Sequence, residues 1–422
     1  MKVNKIKNNY YNLTVINTKK FKKNIIKFQF ITKSLKEESS IRYLLSLIIL
    51  KSTKNCLKER DILIKKEELY NLTCSSTVKI SGRFSILSLE FSFLDEIYSE
   101  KGMFNETLNF ILNFINKPNI NNNKFDEKLF NQVIKEASDD INSYKEDPDH
   151  VASQSLYEAM SECSELSHVN YGYLSDLENI TNEELVSYFY KVINTESLHI
   201  FFVGNINFLE LNSVLESNLS FRTNDKISMK PIKHNDLKET PLYKKKTFKT
   251  NQSILKIGFK LSDLTKEEKE FVIPFYNNIL GGSPESKLFK NVREKHSLCY
   301  TIRSTYYQAK SILVISAGIN AKDYKQTLEL IMKEVFHMEK GEFTLEDILS
   351  TKKQLINEYD EQNDNAYQIL SSYILNTYYG FSLPSKAIKS LNNIKKDMIK
   401  SVSKKIKLDT IFLLEGDLNA ED

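Results

Sequence analysis

Two residues seven positions apart, Arg293 and Tyr300, are the side chains of this sequence best suited to chemistry on a carbonyl group. A guanidinium keeps its charge and holds its donors in one plane, and a phenol adds one more donor. Together they could stabilise the oxyanion that forms when a peptide carbonyl is attacked. The alternative interpretation is an ion pair for the arginine and a core position for the tyrosine.

The stretch before this pair contains residues that shape a turn. An apolar helix is predicted to end at Gly281-Gly282, and a second helix to begin around Ser283-Pro284, because proline suits a first helical turn. Glycines without side chains would let a substrate or partner backbone approach closely. We therefore assign Gly281, Gly282 and Ser283 to substrate binding, ahead of a strand that begins near Tyr300.

Other catalytic motifs are absent from the sequence. None of the six histidines occurs as H-x-x-E-H or H-E-x-x-H, the spacings that place two imidazoles on one helix face around zinc. The nucleophile elbow G-x-S-x-G and the glycine-rich dinucleotide and phosphate loops are also missing. As an independent hydrolase the chain looks incomplete.

Length and composition limit the classes of protein that remain. With 422 residues, two or more domains are expected, and 41% hydrophobic residues suffice for a core in each. A net charge of only +4 argues against a nucleic-acid partner. The longest apolar run, Leu44 to Leu50, is too short to span a membrane. Four distant cysteines and the lack of a signal-peptide pattern predict reduced thiols and a cytoplasmic location.

The sequence repeats one order of elements. Two β-rich apolar runs end at Gly204 and Gly416, 212 positions apart. Each is preceded by a hairpin with alternating hydrophobicity and by long amphipathic stretches, Lys128–Tyr144 in the first half and Asp347–Tyr359 in the second. We therefore predict an α+β fold of two homologous domains, each a mostly antiparallel sheet covered by helices.

The domain boundaries are predicted from the segment between the halves. We place an N-terminal domain at residues 1–222, a linker at 223–244 and a C-terminal domain at 245–422. Two prolines, weak periodicity and the basic run Lys244-Lys245-Lys246 favour a linker. An additional edge strand with a solvated charge run is nearly as consistent with this segment.

The residues around Arg293 and Tyr300 resemble the C-terminal half of the M16 (insulinase/pitrilysin-like) metallopeptidase family. Seven further residues match the frame of the family motif: Gly281, Gly282, Ser286, Leu288, Phe289, Val292 and Leu298. The resemblance implies the M16/LuxS-like metallohydrolase fold, whose subunits contain two homologous halves, and it implies catalytic roles for Arg293 and Tyr300. Extended substrates in this family lie along a sheet edge.

The zinc motif of the family is lost. When Lys51-Ser52-Thr53 is aligned with the turn that follows that motif, the two ligand positions fall on Tyr43 and Leu47, and the base position falls on Ser46. Phenol, hydroxyl and alkyl groups do not replace imidazole, thiolate or carboxylate ligands. A third ligand could align with Glu136, but the register of that helix is open. No metal site is therefore expected in this chain.

This combination resembles the zinc-free subunits of bacterial M16 pairs, especially the YmfF-like group, which is associated by name with modification of elongation factor P. Related zinc-free chains serve in peptide and bacteriocin maturation, so the resemblance leaves the pathway open. The resemblance implies a heterodimer with an M16-like zinc-bearing subunit, a peptide substrate, and zinc in the partner. It implies no peptidase activity for the chain alone. Two alternatives remain open: a non-catalytic binding or scaffolding subunit, and a homodimeric peptide-binding chaperone.

Overall fold

The computed structural model describes residues 1–160, 165–224, 227–235 and 237–418. Within these ranges Cys56, Cys74 and Cys299 are free thiols, and Cys163 lies outside them. Burial raises the pKa of Cys74 to about 12 and that of Cys299 to about 11. Both thiols therefore stay protonated at neutral pH. No helix within the described ranges is long and apolar enough to cross a bilayer.

Among the described residues, eleven strands form two large sheets and two more pair as a small hairpin. The strands are β1 (Lys2–Lys7), β2 (Asn12–Asn17), β3 (Lys23–Lys33), β4 (Thr73–Ser81), β5 (Phe84–Leu94), β6 (Ile120–Asn121), β7 (Lys124–Phe125), β8 (Ser197–Gly204), β9 (Leu242–Phe248), β10 (Ser253–Leu261), β11 (Cys299–Tyr307), β12 (Ile312–Ile319) and β13 (Ile406–Gly416). The first sheet has the order β1-β2-β8-β3-β5-β4, and the second has the order β11-β12-β10-β13-β9.

The two sheets repeat one topology. Strands β2, β8, β3, β5 and β4 correspond in order to β9, β13, β10, β12 and β11, and β1 is an extra edge strand. In each sheet one pair is parallel, β2 with β8 and β9 with β13, and the other neighbours are antiparallel. The strands that end at Gly204 and Gly416 occupy equivalent positions. The predicted α+β fold of two homologous domains is therefore confirmed.

Helices occupy corresponding places between the strands of the two halves, and one further helix of the described residues follows β8. They are α1 (Ser39–Ile48), α2 (Glu59–Glu68), α3 (Met103–Asn116), α4 (Glu127–Glu146), α5 (Pro148–Met160), α6 (Leu174–Leu177), α7 (Asn182–Thr195), α8 (Phe208–Leu219), α9 (Ile273–Asn277), α10 (Tyr324–Lys340), α11 (Leu345–Gln362), α12 (Ala366–Tyr379), α13 (Pro384–Asn392) and α14 (Lys396–Ser403). The amphipathic stretches predicted at 128–144 and 347–359 lie within α4 and α11. Capping boxes begin α7 at Thr181 and α11 at Thr344.

Alternating residues of each central strand build the cores. In β3, Ile26, Phe28 and Phe30 point into a core shared with α1, α3 and α7. In β10, Leu255, Ile257 and Phe259 do the same for the second half. Period-two alternation places these side chains on one face of the sheet, which the helices then cover.

The basic run Lys244–Lys246 lies in an edge strand. Strand β9 contains it and pairs in parallel with β13, from Leu242 opposite Thr410 to Phe248 opposite Gly416. The alternative interpretation of this segment was therefore correct for residues 242–244, which had been placed in the linker. Exposed lysines on an edge strand discourage pairing with other chains.

The chain forms two compact units that exchange segments. The first contains Met1–Ser143, His168–Met229 and Asn365–Ile374, and the second contains Tyr144–Ser167, Lys230–Asp364 and Leu375–Asp422. Helix α5 accordingly packs on β10 and β13 of the second sheet, where Gly258 leaves room for Met160. The compact units differ from the predicted domains in the segments that each contains. The boundaries at residues 222 and 245 therefore remain a prediction about the two homologous domains.

Lys310 is a half-buried cation beside helix α5. Its Nζ lies 3.9 Å from the centre of the Tyr157 ring and donates to the Leu166 carbonyl at 3.2 Å. Burial lowers the pKa of Lys310 to about 8 from a usual value of 10.5. Between these two pH values the unfolded chain binds more protons than the folded chain at this site.

We expect Lys310 to make the protein more stable as the pH rises from about 8 to 10.5. The difference in free energy of unfolding between the wild type and Lys310→Met should rise by up to about 1.4 kcal/mol per pH unit. Urea unfolding across this range measures it, with the exposed Lys266→Met as control. A difference that is constant with pH would contradict the prediction.

Candidate functional site

Tyr300 sits on a bulge at the start of edge strand β11. Cys299 pairs with Ile319 and Thr301 with Gly318, so Tyr300 is an extra residue in the ladder. The bulge breaks the alternation of β11: Tyr300 and Thr301 are both exposed, and the tyrosine side chain is 60% exposed. Bulges of this kind re-aim side chains near functional sites. The alternative interpretation, a tyrosine in the core, is wrong.

A short polar chain holds the phenol of Tyr300. Its hydroxyl donates to Asn320 Oδ1 at 3.3 Å, and the Asn320 amide donates to Asp323 Oδ2 at 3.0 Å. Asn320 directly follows β12, the neighbour of β11. The phenol is thus held at the end of the sheet while its ring stays accessible.

Arg293 lies in the π-helical segment Phe289–Glu294 that precedes β11. Its exposed guanidinium carbon is 4.7 Å from the centre of the Phe289 ring. Its charge also opposes the rise in the pKa of the Cys299 thiol that burial causes, so it lies close to the residue before Tyr300. The turn between them is closed by the Ser297 amide, which donates to the Arg293 carbonyl at 2.9 Å. Arg293 and Tyr300 therefore lie on either side of one turn of the second unit. We call this turn, together with the two side chains, the Arg293 corner.

The two glycines of the motif pack differently from each other. A Cβ on the buried Gly281 would lie 2.8 Å from the backbone nitrogen of Ser304 in β11, which is too close for a side chain. Gly282 is exposed, and a Cβ there would lie 2.9 Å from Asn277 Nδ2. The contact with β11 explains Gly281 without a substrate. Ser283 is half-buried and its hydroxyl lies 3.5 Å from the Asn278 carbonyl. Binding of substrate by these three residues remains a prediction.

The local helix boundary differs from the prediction. Asn278–Gly282 is π-helical, and helical structure resumes at Lys287 rather than at Ser283-Pro284. Pro284 instead lies in a turn closed by the Ser286 amide, which donates to the Ser283 carbonyl at 3.1 Å. π-helical turns such as these are often found at functional sites.

Helix α1 carries packing residues where the zinc motif would lie. The Tyr43 hydroxyl donates to Asp140 Oδ2 of α4 at 2.6 Å. The buried Ser46 hydroxyl bonds back to the Tyr43 carbonyl at 2.7 Å, and Leu47 packs against the core. These three positions are thus engaged in hydrogen bonds and apolar packing.

Glu136 on α4 faces the end of the same helix. Its Oε2 lies 2.9 Å from Lys51 Nζ, which also contacts Glu59 at 3.1 Å. Desolvation acts to lower the pKa of Lys51, but the hydrogen bonds that its ammonium donates to these two carboxylates outweigh it, so the pKa is raised. Because Lys51 already neutralises Glu136 and a leucine replaces one ligand, the residues present do not fit a zinc ion. In the described ranges no group of three His, Cys, Asp or Glu side chains could hold a metal.

His199 lies in β8 and is a structural residue of the first sheet. Its Nε2 lies 3.1 Å from Asn12 Nδ2 on the neighbouring strand. Burial lowers its pKa to about 4, so the ring is neutral at physiological pH. This histidine supports the sheet of the first unit.

Known proteins resemble this chain in sequence along its whole length. Residues 179–355 match the family described as Peptidase M16 inactive domain. The probable inactive metalloprotease YmfF of Bacillus subtilis is 25% identical over 421 residues, which cover 98% of each chain. The predicted M16 resemblance is confirmed. An uncharacterized zinc protease of the same organism, YmxG, is 26% identical over 55% of this M16-like chain and 56% of its own length.

A solved structure shares the fold of this chain. A conserved protein from Enterococcus faecalis V583 superposes with a TM-score of 0.92 at 25% identity, and the match covers 99% of the M16-like chain and all of the other chain. The fold is therefore that of this relative from end to end.

Sequence reasoning missed Asn320, Asp323 and Asp140. Each is a polar residue remote in sequence from the side chain that it contacts, and none belongs to the motif. Asn320 and Asp323 follow the apolar run of β12 and could have indicated the end of a strand. The contact of Asn320 with Tyr300, however, depends on the pairing of β11 with β12.

Proposed function

We propose that this chain is the zinc-free subunit of a heterodimeric M16-type metallopeptidase. The observation that carries the proposal is the bulge that exposes Tyr300 in the same corner as the exposed Arg293, in a chain whose own zinc positions carry Tyr43 and Leu47. A structural tyrosine of an antiparallel ladder would not need a bulge to turn it outward.

The chemistry assigned to this corner is stabilisation of negative charge. A peptide that lies along the exposed edge of β11 would place a carbonyl near the guanidinium and the phenol. Both groups would donate to the oxygen as it becomes negative, an interaction that is strongest in the transition state. To do so the Tyr300 hydroxyl must exchange its bond with Asn320 Oδ1 for one with the substrate. Zinc in the partner subunit would polarise the carbonyl and activate the attacking water.

The second candidate function is a peptide-binding or scaffolding subunit without a part in the chemistry. The description of a full-length relative as a probable inactive metalloprotease favours it. In that case Arg293 and Tyr300 would contact a peptide or a partner without accelerating its cleavage.

The experiment is co-expression with an M16-like chain that carries H-x-x-E-H, followed by metal analysis and a peptide-cleavage assay. We expect the isolated chain to hold no stoichiometric zinc and to cleave nothing, because Tyr43, Ser46 and Leu47 leave no ligand set. The two chains should co-purify, with zinc bound and peptide cleaved. One tightly held zinc per isolated chain would contradict the assignment. If the zinc-bearing chain cleaves peptide as fast alone as it does in the complex, the scaffolding function is favoured.

A further inference from the structure

One end of the first sheet is basic across five neighbouring strands. Strands β1, β2, β8, β3 and β5 lie side by side, and β1 and β3 begin at the end of the sheet where β2, β8 and β5 finish. At ~4.8 Å between neighbouring strands, this end is about 19 Å wide. It carries six exposed lysines: Lys2, Lys19, Lys20, Lys22, Lys23 and Lys101. We call this end of the sheet, with the loops next to it, the basic end.

Backbone contacts hold the central lysines together. The run Lys19–Lys23 connects β2 to β3 across the end of β8. The Thr18 amide before it donates to the Gly204 carbonyl at 2.8 Å, and the Lys22 carbonyl accepts from the Asp95 amide at 2.9 Å. The run is therefore tied to β8 on one side and to the loop after β5 on the other, which keeps its charges in one place.

The positive charge of the basic end exceeds the negative charge beside it. Residues 1–36, which contain β1 to β3, include ten lysines and no aspartate or glutamate. Three carboxylates of the adjoining loops already accept hydrogen bonds within the protein. Glu96 accepts from an amide in the first turn of α3 at 3.0 Å, Glu210 from Asn105 at 3.2 Å and Glu100 from the Tyr70 hydroxyl at 2.6 Å. With one buried aspartate they number four against the six lysines, so the basic end attracts anions.

Apolar side chains are exposed at the same end. Ile97 is 65% exposed, Tyr98 50% and Leu209 73%. Tyr98 lies beside the basic run, with Lys22 Nζ 6.0 Å from the centre of its ring. Ile97 and Glu210, the residue after Leu209, line one pocket, so the loop after β5 adjoins the start of α8. Exposed apolar side chains grouped together mark a surface that meets a partner.

We propose that the basic end binds the surface of a membrane that contains anionic lipids. The lysines would lie against the lipid phosphates, and their attraction adds up from one lysine to the next. Ile97 and Leu209 would enter the boundary between headgroups and acyl chains, a level that also favours the amphipathic ring of Tyr98. Charge and apolar insertion together provide the two signals that stable attachment to a membrane needs.

Two other anionic partners fit the same surface less well. A nucleic acid would use aromatic side chains for stacking, whereas Ile97 and Leu209 are aliphatic and cannot stack on bases. An acidic protein would match the lysines equally well, so the experiment must show insertion of the apolar side chains. The proposal is independent of the peptidase function proposed above, because it concerns only residues of the first unit.

Sedimentation of the full chain with lipid vesicles tests the charge. We expect binding to phosphatidylcholine vesicles that contain about one-third phosphatidylglycerol, little binding to phosphatidylcholine alone, and weaker binding at high salt. Lys19→Gln, Lys22→Gln and Lys23→Gln combined should weaken binding about 10²-fold, at roughly fivefold per lysine.

A matched triple variant of the second unit controls for net charge. Lys244→Gln, Lys246→Gln and Lys249→Gln combined remove the same charge from exposed positions in and next to β9. This triple should leave the affinity for the anionic vesicles within a few-fold of the wild type. Equal weakening by the two triples would show general attraction of a cationic protein and would overturn the proposal.

The apolar contribution is tested by Ile97→Ser combined with Leu209→Ser, which should weaken binding about tenfold because less apolar surface leaves water. Leu345→Ser combined with Leu349→Ser is the control, since these leucines of α11 are 70% and 55% exposed in the second unit. All of these positions are exposed, and thermal melting checks that each variant folds.

A fluorescent side chain reports insertion directly. The chain has no tryptophan, so Tyr98→Trp introduces a single indole. Its emission should shift to shorter wavelength with anionic vesicles, whereas that of Tyr243→Trp in β9 should not. Absence of binding to anionic vesicles would overturn the proposal. Binding that depends on the lysines alone, with no effect of Ile97→Ser and Leu209→Ser and no shift of emission, would also overturn it and favour an acidic protein or a nucleic acid.

Discussion

Replacement of Arg293 by alanine, or of Tyr300 by phenylalanine, is expected to lower the kcat of the assembled peptidase by ~10²–10³, the scale for removal of one oxyanion donor. The loss should fall on kcat with KM nearly unchanged, because the interaction strengthens mainly in the transition state. Steady-state kinetics of peptide cleavage by the co-purified complex measures both constants.

Two matched controls lie on the same strand as Tyr300. Arg303 is an exposed arginine of β11, 4.0 Å from Asp149, and Tyr307 is a partly exposed tyrosine at the end of the strand. Arg303→Ala and Tyr307→Phe should leave kcat within a few-fold of the wild type. If Arg293→Ala and Tyr300→Phe instead lower thermal stability and leave turnover per folded complex unchanged, the two residues are structural.

Arg42→Met is expected to lower the free energy of unfolding by about 3–5 kcal/mol, the range for breaking a buried ion pair. Arg42 and Glu196 are 2% and 3% exposed, and two of their nitrogen–oxygen pairs lie at 2.6 and 2.9 Å. Burial opposes the charge of Arg42, yet Glu196 raises its pKa above the usual value overall. Loss of the arginine leaves the Glu196 carboxylate buried without its counter-charge.

Urea unfolding of the wild type and the variants measures this loss. Arg42→Met combined with Glu196→Gln should recover much of it, because neither charge is then buried alone. Arg60→Met, at an exposed position of α2, should change stability by no more than about 0.5 kcal/mol. Equal stability of Arg42→Met and the wild type would show that the pair contributes nothing net.

The local patterns of the sequence were enough to predict the repeated fold. Hairpins, amphipathic stretches and apolar runs that end at Gly204 and Gly416 depend on residues close in the chain, so their periodicity is visible without contacts. The loss of zinc ligands is equally local, since it follows from the identities of Tyr43, Ser46 and Leu47. These features required only the order of the residues.

Tertiary structure decided which remote residues meet. The bulge that exposes Tyr300 exists only because β11 pairs with β12, and Gly281 is explained only by its contact with Ser304. The position of α5 on the second sheet also has no local signal, because its apolar face would suit either core. By itself the sequence determined the order of most helices and strands and which residues stand at the positions of the zinc motif. Strand register and packing between distant segments determined where Arg293 and Tyr300 are exposed, because these contacts join residues that are far apart in the chain.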